Sequence, residues 1–231
     1  MLGVVTGLEF EADLVRRYAR RGDVADRVWV ACGLGRDQAN AAAERLIADG
    51  ARALLSFGIA GGVSPAVSRG TLVLSTEIRG EALHPLPTSS EWNARLITLL
   101  DPLGAITHSP LAHTLHVVAT TMEKARLCAA TGAVAVDMES YGIAEAAFQA
   151  RLPFTAIRVV ADTAAETLPE IALHAVAPDG SVKLAETIGR VARSPQQIPA
   201  LIRLGRATSQ ARARLNEIAA LCTRRLFLSQ P

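Results

Sequence analysis

Short apolar runs alternate along the chain with stretches whose apolar residues recur at helical spacing. The runs predict strands at 2–7, 28–33, 53–62, 71–78, 115–121, 134–138 and 153–162. The helical stretches are 11–21, the part of 33–50 that follows its glycine turn, 92–100, the segment from 121 to about 130, 143–150 and the tail from 198 onward. Apolar strands that alternate with helices predict an α/β fold whose sheet is covered by helices on both faces.

Charge is divided unevenly between the body of the chain and its tail. From Arg190 onward there are eight arginines and one acid, Glu217, whereas the rest of the chain is mildly acidic. The change near Ser194 and Pro195 predicts a division into a domain of residues 1–194 and a helical tail of residues 195–231. The tail's apolar positions predict one or two basic amphipathic helices. Such a helix suits either contact with an anionic membrane surface or packing on the body or a second subunit.

Composition narrows the classes of protein. Of the 231 residues, 50% are hydrophobic and 20% charged, which is typical of a globular protein. Aromatic residues make up 4%, fewer than a stacking surface for single-stranded nucleic acid needs. The three cysteines form no C-x-x-C pair and the N-terminus has no signal-peptide pattern, so we expect a cytoplasmic protein.

Two glycine-rich segments each allow a ligand-binding interpretation and a structural one. Glycines 58, 61 and 62 follow an apolar run, and their N–H groups could bind an anion or a hydroxyl, or could simply form a tight turn. Gly33 and Gly35 precede a helix whose N-terminus, with Arg36, could hold a phosphate; a strand–turn–helix joint is the alternative. Neither segment has the spacing of a P-loop or a dinucleotide fingerprint.

Charged residues at the ends of buried strands are the strongest chemical signal. Asp137 and Glu139 lie at the exit of one predicted strand, and Asp162 ends another that also contains Arg158. Ligands of open α/β sheets bind at the carboxyl ends of strands, which favours function for Glu139 and Asp162. For Arg158, an ion pair with Asp137 or Glu139 is the alternative. Glu11, after the first strand, also suits a helix first turn.

The histidines do not indicate a metal site. His113 and His116 have metal-like spacing, but the sequence offers no third ligand at a recognised distance. No G-x-S-x-G motif is present either. We therefore expect no metal.

Together these motifs resemble the nucleoside phosphorylase and nucleosidase superfamily. The resemblance is carried by GLEFEADL (7–14), GIAGGVSPAVSRGTLVLS (58–75), AVDMESYGIAEAA (135–147) and IRVVAD (157–162), and covers roughly residues 2–190. It is closest to 5′-methylthioadenosine/S-adenosylhomocysteine nucleosidases. The segments 174–183 and 193–215 are similar to the hopanoid-associated phosphorylase branch, which is associated with removing adenine from adenosylhopane.

The resemblance implies a three-layer α/β/α sandwich with a central mixed, partly barrel-like sheet and a C-terminal helical extension. It implies that Asp162 protonates N7 of adenine, that Glu11 activates water, and that Arg158 positions that water. Glu139 would bind the ribose hydroxyls, and Met138 would lie against the sugar. The remaining candidates are Asp137, Gly58, Ile59, Gly61 and Met122 for substrate, and Gly7 and Arg36 for phosphate.

Departures from the family pattern bear on the reaction. Ile59 stands where a serine or threonine is usual, and Ser56 stands where uridine-type phosphorylases carry an arginine. Asp137 replaces a frequent glutamate, and Met122 is near the place of the aromatic residue that commonly stacks on adenine. The changes at Ile59 and Ser56 remove two polar groups that hold phosphate in relatives, so they favour hydrolysis. Phosphate remains an alternative co-substrate, and the resemblance implies no other cofactor.

The implied partner is a small adenine nucleoside with a 5′ substituent, lipid-linked in the hopanoid interpretation, and not a nucleic acid. Relatives suggest a homodimer. Two alternatives stay open: a soluble methylthioadenosine/homocysteine nucleosidase, and a non-catalytic nucleoside-binding regulatory protein on the same fold.

Overall fold

One mixed sheet of eight strands organises residues 1–22, 24–169 and 198–225, the ranges that this computed structural model describes. The strands are β1 Leu2–Thr6, β2 Val28–Cys32, β3 Ala53–Gly62, β4 Leu72–Gly80, β5 Leu86–Pro87, β6 Ile106–His113, β7 Ala135–Asp137 and β8 Phe154–Asp162. The helices are α1 Glu9–Arg21, α2 Arg36–Ala48, α3 Ser90–Leu100, α4 Thr121–Thr131, α5 Ser140–Gln149 and α6 Ile198–Arg225, with a 3₁₀ turn at Asp101–Leu103.

Five strands close into a ring within this sheet. β3 pairs with β8 and β7, β8 also pairs with β4, and β6 pairs with both β4 and β7. β1 and β2 extend the sheet from β3 in parallel, and β5 adds to β4. The mixed, partly barrel-like sheet that the family resemblance implied is therefore confirmed.

Helices cover both faces of the sheet because successive strand residues point to opposite sides. Val4, Leu55 and Ile157 belong to a core formed with α1, α3 and α6, whereas Val5, Leu54 and Ala156 belong to a second core formed with α2 and α5. The strands are buried from both sides, which explains why they appear in the sequence as nearly continuous apolar runs.

Residues 198–225 of the tail form one long helix that packs on the body. The apolar face of α6 is buried in the same core as α1 and α3, through Ala211, Leu215, Ile218, Ala219 and Cys222. Burial of these five side chains explains the helical spacing at 211–222 and leaves them unavailable to a membrane. The predicted boundary at 194–195 lies outside the described residues. None of the described helices combines the length and the apolar content needed to cross a bilayer.

Two predictions of local structure are wrong. The strand before α4 is Ile106–His113, not 115–121, and the apolar Leu115 and Val117 are exposed in the loop that follows it. The predicted strand at 53–62 is present as β3, but it does not end in a glycine turn, because Gly58, Gly61 and Gly62 all lie within the strand. The helix at 121 is confirmed: Thr120 Oγ1 accepts a hydrogen bond from Glu123 N at 3.2 Å, a cap that starts α4 at this position.

Candidate active site

A cavity of about 220 Å³ lies where several chain segments meet at the ends of the central strands. Gly7, Leu8 and Glu11 contribute from the β1–α1 junction, and Ile59 to Gly61 from β3. The other contributors are the loop 114–118, residues 136–139, the β8 residues Arg158, Ala161 and Asp162, and Leu168. The three carboxylates that the sequence analysis selected, Glu11, Glu139 and Asp162, therefore share one cavity.

Glu11 is held rigidly by backbone donors. It lies in the first turn of α1, 1% exposed, where its Oε2 accepts from Gly7 N at 3.2 Å and Leu8 N at 3.0 Å. Its Oε1 accepts from Ile59 N at 2.8 Å. Burial raises the pKa of Glu11 to about 7, although Arg158 and the backbone N–H groups act in the opposite direction. Near neutral pH this carboxyl can therefore accept or release a proton.

Arg158 lies at the centre of a buried polar network. Its Nη2 is 2.6 Å from Asp137 Oδ2, 2.7 Å from Ser56 Oγ and 3.2 Å from Ser140 Oγ. Burial opposes its charge, but Asp137, Glu139 and Glu11 outweigh that effect and raise the pKa of Arg158. The predicted ion pair with Asp137 is confirmed, and the guanidinium is fixed in position as a permanent cation.

Two glycines leave the space that these charged groups occupy. A Cβ on Gly58 would meet Arg158 Nη1 and lie 2.6 Å from Glu11 Oε1. A Cβ on Gly7 would lie 2.8 Å from Glu139 Cδ. Both positions therefore exclude larger residues, which accounts for the glycines through close approach of side chains rather than through a turn.

Glu139 follows β7 at the start of α5 and is 6% exposed. Its Oε1 accepts a hydrogen bond from Gly35 N at 3.0 Å, and its Oε2 lies 3.7 Å from Arg158 Nη2. Burial, with the nearby Asp137, raises its pKa. The glycine turn at 33–35 thus supports a carboxylate of the cavity.

Asp162 ends β8 and also lines the cavity. Its Oδ2 is in an ion pair with Lys124 Nζ, and that lysine is fully buried. Burial raises the pKa of Asp162, while Lys124 and then Arg69 act to lower it. The side chain therefore has the environment of an acid that gains and loses a proton above its usual range.

Three predicted site residues do not line the cavity. Gly58 is one of them: Arg158 and Glu11 occupy the space beside it in β3. Met122 is 78% exposed on α4 and is absent from the lining, because the first turn of α4 points it to solvent. Arg36 also lies outside the lining; its Nη2 is 3.1 Å from both carboxylate oxygens of Glu145, and its guanidinium packs over the Tyr141 ring. An already paired Arg36 is a poor phosphate ligand.

Sequence reasoning missed the loop 114–118 and the buried Lys124. His116, Val117 and Val118 line the cavity, whereas Met122, which lies near the expected place of the adenine-stacking aromatic, does not. His113, by contrast, is buried in β6 against Tyr141, with ring centroids 5.4 Å apart. Among the described residues, no three metal-ligating side chains are grouped together.

The comparison with known proteins agrees with this arrangement. The family model described as the phosphorylase superfamily matches residues 9–194. The chain belongs to the phosphorylase superfamily. That match spans the segments containing Glu11, Glu139, Arg158 and Asp162, so every carboxylate of the cavity lies in the part of the chain that the superfamily shares.

Solved structures of this superfamily share the fold at low sequence identity. A 5′-methylthioadenosine/S-adenosylhomocysteine nucleosidase from Neisseria meningitidis, in complex with methylthio-immucillin-A, superposes with a TM-score of 0.74 at 17% identity, covering 96% of this chain and 98% of that one. The S-adenosylhomocysteine nucleosidase of Streptococcus pyogenes gives 0.72 at 16%, covering 97% and 96%. The futalosine hydrolase of Helicobacter pylori gives 0.70 at 13%, covering 94% of each. No curated protein matches the chain by sequence.

Proposed function

We propose that this protein cleaves the N-ribosidic bond of an adenine nucleoside with a 5′ substituent, releases adenine, and uses water as the nucleophile. The observation that supports it is the meeting of Glu11, Glu139 and Asp162 around one cavity. Cleavage of such a bond passes through a cation-like sugar, so it needs an acid for the leaving base and a carboxylate near the sugar. The similar solved nucleosidases support the same class of reaction.

Asp162 is the proposed acid. A purine leaves readily once N7 is protonated, and a buried carboxyl with a raised pKa holds a proton at higher pH than an exposed one. The proton moves from Asp162 to N7 as the bond from the sugar to N9 breaks, and the bonding electrons pass to the base.

Glu11 and Arg158 are proposed to activate and position the water. Glu11, with a pKa of about 7, is well matched to removing a proton from water at neutral pH. The guanidinium beside it is fixed by Asp137 and Ser56. Glu139 is proposed to bind the ribose hydroxyls through Oε2, because its Oε1 is already used by Gly35 N. Met138, also in the lining, would lie against the sugar.

The charge of the cavity supports water over phosphate. Four carboxyl side chains line it, from Glu11, Asp137, Glu139 and Asp162, against one cation within the described lining, Arg158. That cation is already paired with Asp137, so a phosphate dianion would meet net negative charge. A phosphate co-substrate therefore requires a cation from outside these residues.

An apolar 5′ substituent fits the side chains near the cavity. Val117, Val118 and Leu168 line it, and the neighbouring Leu115 is 62% exposed. These side chains support a large apolar group, for which we propose adenosylhopane, as the tail resemblance suggests. The structural similarity to methylthioadenosine/homocysteine nucleosidases supports a second candidate with a small 5′ group.

Adenine release by the purified protein tests these proposals. The substrates to compare are 5′-methylthioadenosine, S-adenosylhomocysteine and a long-chain 5′-alkyl adenosine. We expect each rate of adenine release to be the same with and without phosphate. We also expect the long-chain compound to have the highest kcat/KM. Asp162→Asn is expected to lose turnover and keep the fold. Nucleoside binding without release would instead identify a regulatory binding protein, and a strict phosphate requirement would overturn hydrolysis.

We also propose a homodimer, supported by exposed apolar side chains at Leu115, Met122 and Phe148. Light scattering tests it, and a monomeric mass would contradict it.

Contact with a membrane stays a prediction. We expect it to use basic residues such as Arg212, which lies over the Phe10 ring, because the apolar side chains at 211–222 are already buried. Sedimentation with anionic vesicles tests that contact.

A further inference from the structure

Lys124 is a fully buried ammonium group whose hydrogen-bonding capacity is completely used. Its Nζ donates to Asp162 Oδ2, to Thr163 O at 2.8 Å and to Glu166 O at 2.8 Å. A lysine ammonium has three donors, so all are accounted for. Buried lysines are rare unless they are paired, and this one pairs with the proposed acid of the reaction.

The contact distinguishes the two oxygens of Asp162. Lys124 occupies Oδ2, whereas Oδ1 is the nearer oxygen to Gly61, 3.4 Å from the position that a Cβ would take there. Gly61 and Asp162 both line the cavity. An ammonium group cannot accept a proton, so a proton bound by Asp162 is excluded from the side that faces Lys124 and resides on Oδ1.

We propose that Lys124 is the positioning residue of the acid: it holds Asp162 with Oδ1 towards the purine and stabilises the carboxylate that remains after the proton has gone. The inference rests on the proposed function. Asp162 Oδ1–H gives its proton to N7, the bond from the sugar breaks with its electrons moving to the base, and Lys124 keeps its own three protons throughout.

Other charges near Asp162 are balanced by their own partners. Glu166 is in an ion pair with Arg69 and accepts a hydrogen bond from Thr163 N at 2.8 Å. Lys124 and Arg69 are the charged side chains that act on Asp162. The charged and titratable groups that line the same cavity are Glu11, His116, Asp137, Glu139 and Arg158. Lys124 is the cation in direct contact, so its removal has the largest effect on the acid.

The test compares two leaving groups. A 5′-methylthio riboside of 4-nitrophenol needs no protonation of its leaving group, whereas 5′-methylthioadenosine does. Glu11 serves both substrates, so the ratio of kcat for the adenosine to kcat for the nitrophenyl riboside reports the protonated fraction of Asp162. In the wild-type enzyme this ratio falls as pH rises through the pKa of Asp162.

Lys124→Met is expected to move the midpoint of that fall upward by about 1 to 3 pH units, because an adjacent opposite charge lowers a carboxyl pKa by that amount. At low pH, where Asp162 is protonated, the kcat ratio of Lys124→Met is expected to be about tenfold below that of the wild type. This loss is smaller than the ~10²- to 10⁴-fold that the acid itself contributes, because Lys124 only positions the acid. Lys124→Arg keeps the charge and should restore the midpoint. Arg126→Met removes an exposed cation from the same helix and should leave the midpoint in place.

The outcomes separate the inference from the proposed function. A wild-type protein that cleaves neither riboside would overturn the function. An active wild type whose ratio keeps the same midpoint in Lys124→Met would overturn the role of Lys124. If Lys124→Met does not fold, the Lys124→Arg variant decides: a midpoint displaced by more than the Arg126→Met control, despite the retained charge, contradicts the electrostatic part of the proposal.

Discussion

Gly58 and Arg158 are paired in the register of strands β3 and β8, and the guanidinium of Arg158 fills the space that a Cβ on Gly58 would take. Glu11 reaches the same space from α1, with its Oε1 2.6 Å from the position of the missing Cβ. Strand pairing, helix placement and the choice of glycine thus combine to bring a buried cation and a buried carboxyl together beside the cavity.

Gly58→Ala is expected to reduce kcat by about 10²-fold, because displacing a reacting group by about 1 Å costs that much. The added methyl group would push Arg158 or Glu11 out of position. Adenine release at saturating substrate measures the effect. Gly205→Ala is the matched control, since a Cβ there meets open space on α6. Equal activity of the two variants would contradict the steric argument.

The pKa of Glu11, about 7, predicts the acid side of the pH profile. A base must be deprotonated, so kcat/KM is expected to rise with pH up to about 7 and then to level off on that side. Glu11→Gln should remove both the rise and most of the activity. Measuring kcat/KM for 5′-methylthioadenosine between pH 5 and 9 checks this, and a profile that is flat below pH 7 would argue against Glu11 as the base.

The same pKa has a consequence for stability. Glu11 binds its proton more tightly in the folded protein than in the unfolded chain, where its pKa is 4.5. The contribution of Glu11 to the free energy of unfolding is therefore fully present below pH 4.5 and is lost as pH rises through about 7, because the folded protein must then hold a buried charge. Glu11→Gln removes that charge. The free energy of unfolding of the variant, relative to that of the wild type, should therefore increase from pH 5 to pH 8, towards a limit on the order of 3 kcal/mol.

Urea unfolding of both proteins at pH 5 and pH 8 measures this difference. Asp13→Asn is the control, since Asp13 is exposed on the same helix and bonds only to Arg16 among the contacts described. A Glu11→Gln advantage that is the same at both pH values would show that burial does not raise the pKa of Glu11.

The strands that carry the site were predictable because their chemistry is visible locally. β3 and β8 are buried from both sides and therefore form nearly continuous apolar runs. The charged residues within β8, at its end and after β7 interrupt that pattern. β6 was missed because ITHSPLAH mixes polar residues with a proline, and only its last three residues are buried. The apolar loop after it resembles a strand because part of it lines a cavity.

Lys124 and Met122 show where local patterns stop being informative. The two residues are separated by about 200° around α4, so the capped start of the helix sends one into the core and the other to solvent. A lysine in the first turn of a helix resembles a surface residue in the sequence. Its burial depends on the end of β8, Asp162, lying opposite, and that juxtaposition exists only in the folded chain.

The C-terminal helix contributes side chains to the core, so we expect its packing to stabilise the folded body. Leu215 is fully buried among α1, α3 and the sheet. Leu215→Ala is expected to lower the free energy of unfolding by about 2 to 5 kcal/mol, the usual cost of truncating a buried leucine. Ile97→Ala, made at an exposed isoleucine of α3 away from the proposed dimer surface, should change it by about 0.5 kcal/mol or less. Denaturant unfolding of the full chain compares the two variants, and equal stability would mean that α6 does not pack on the sheet in solution.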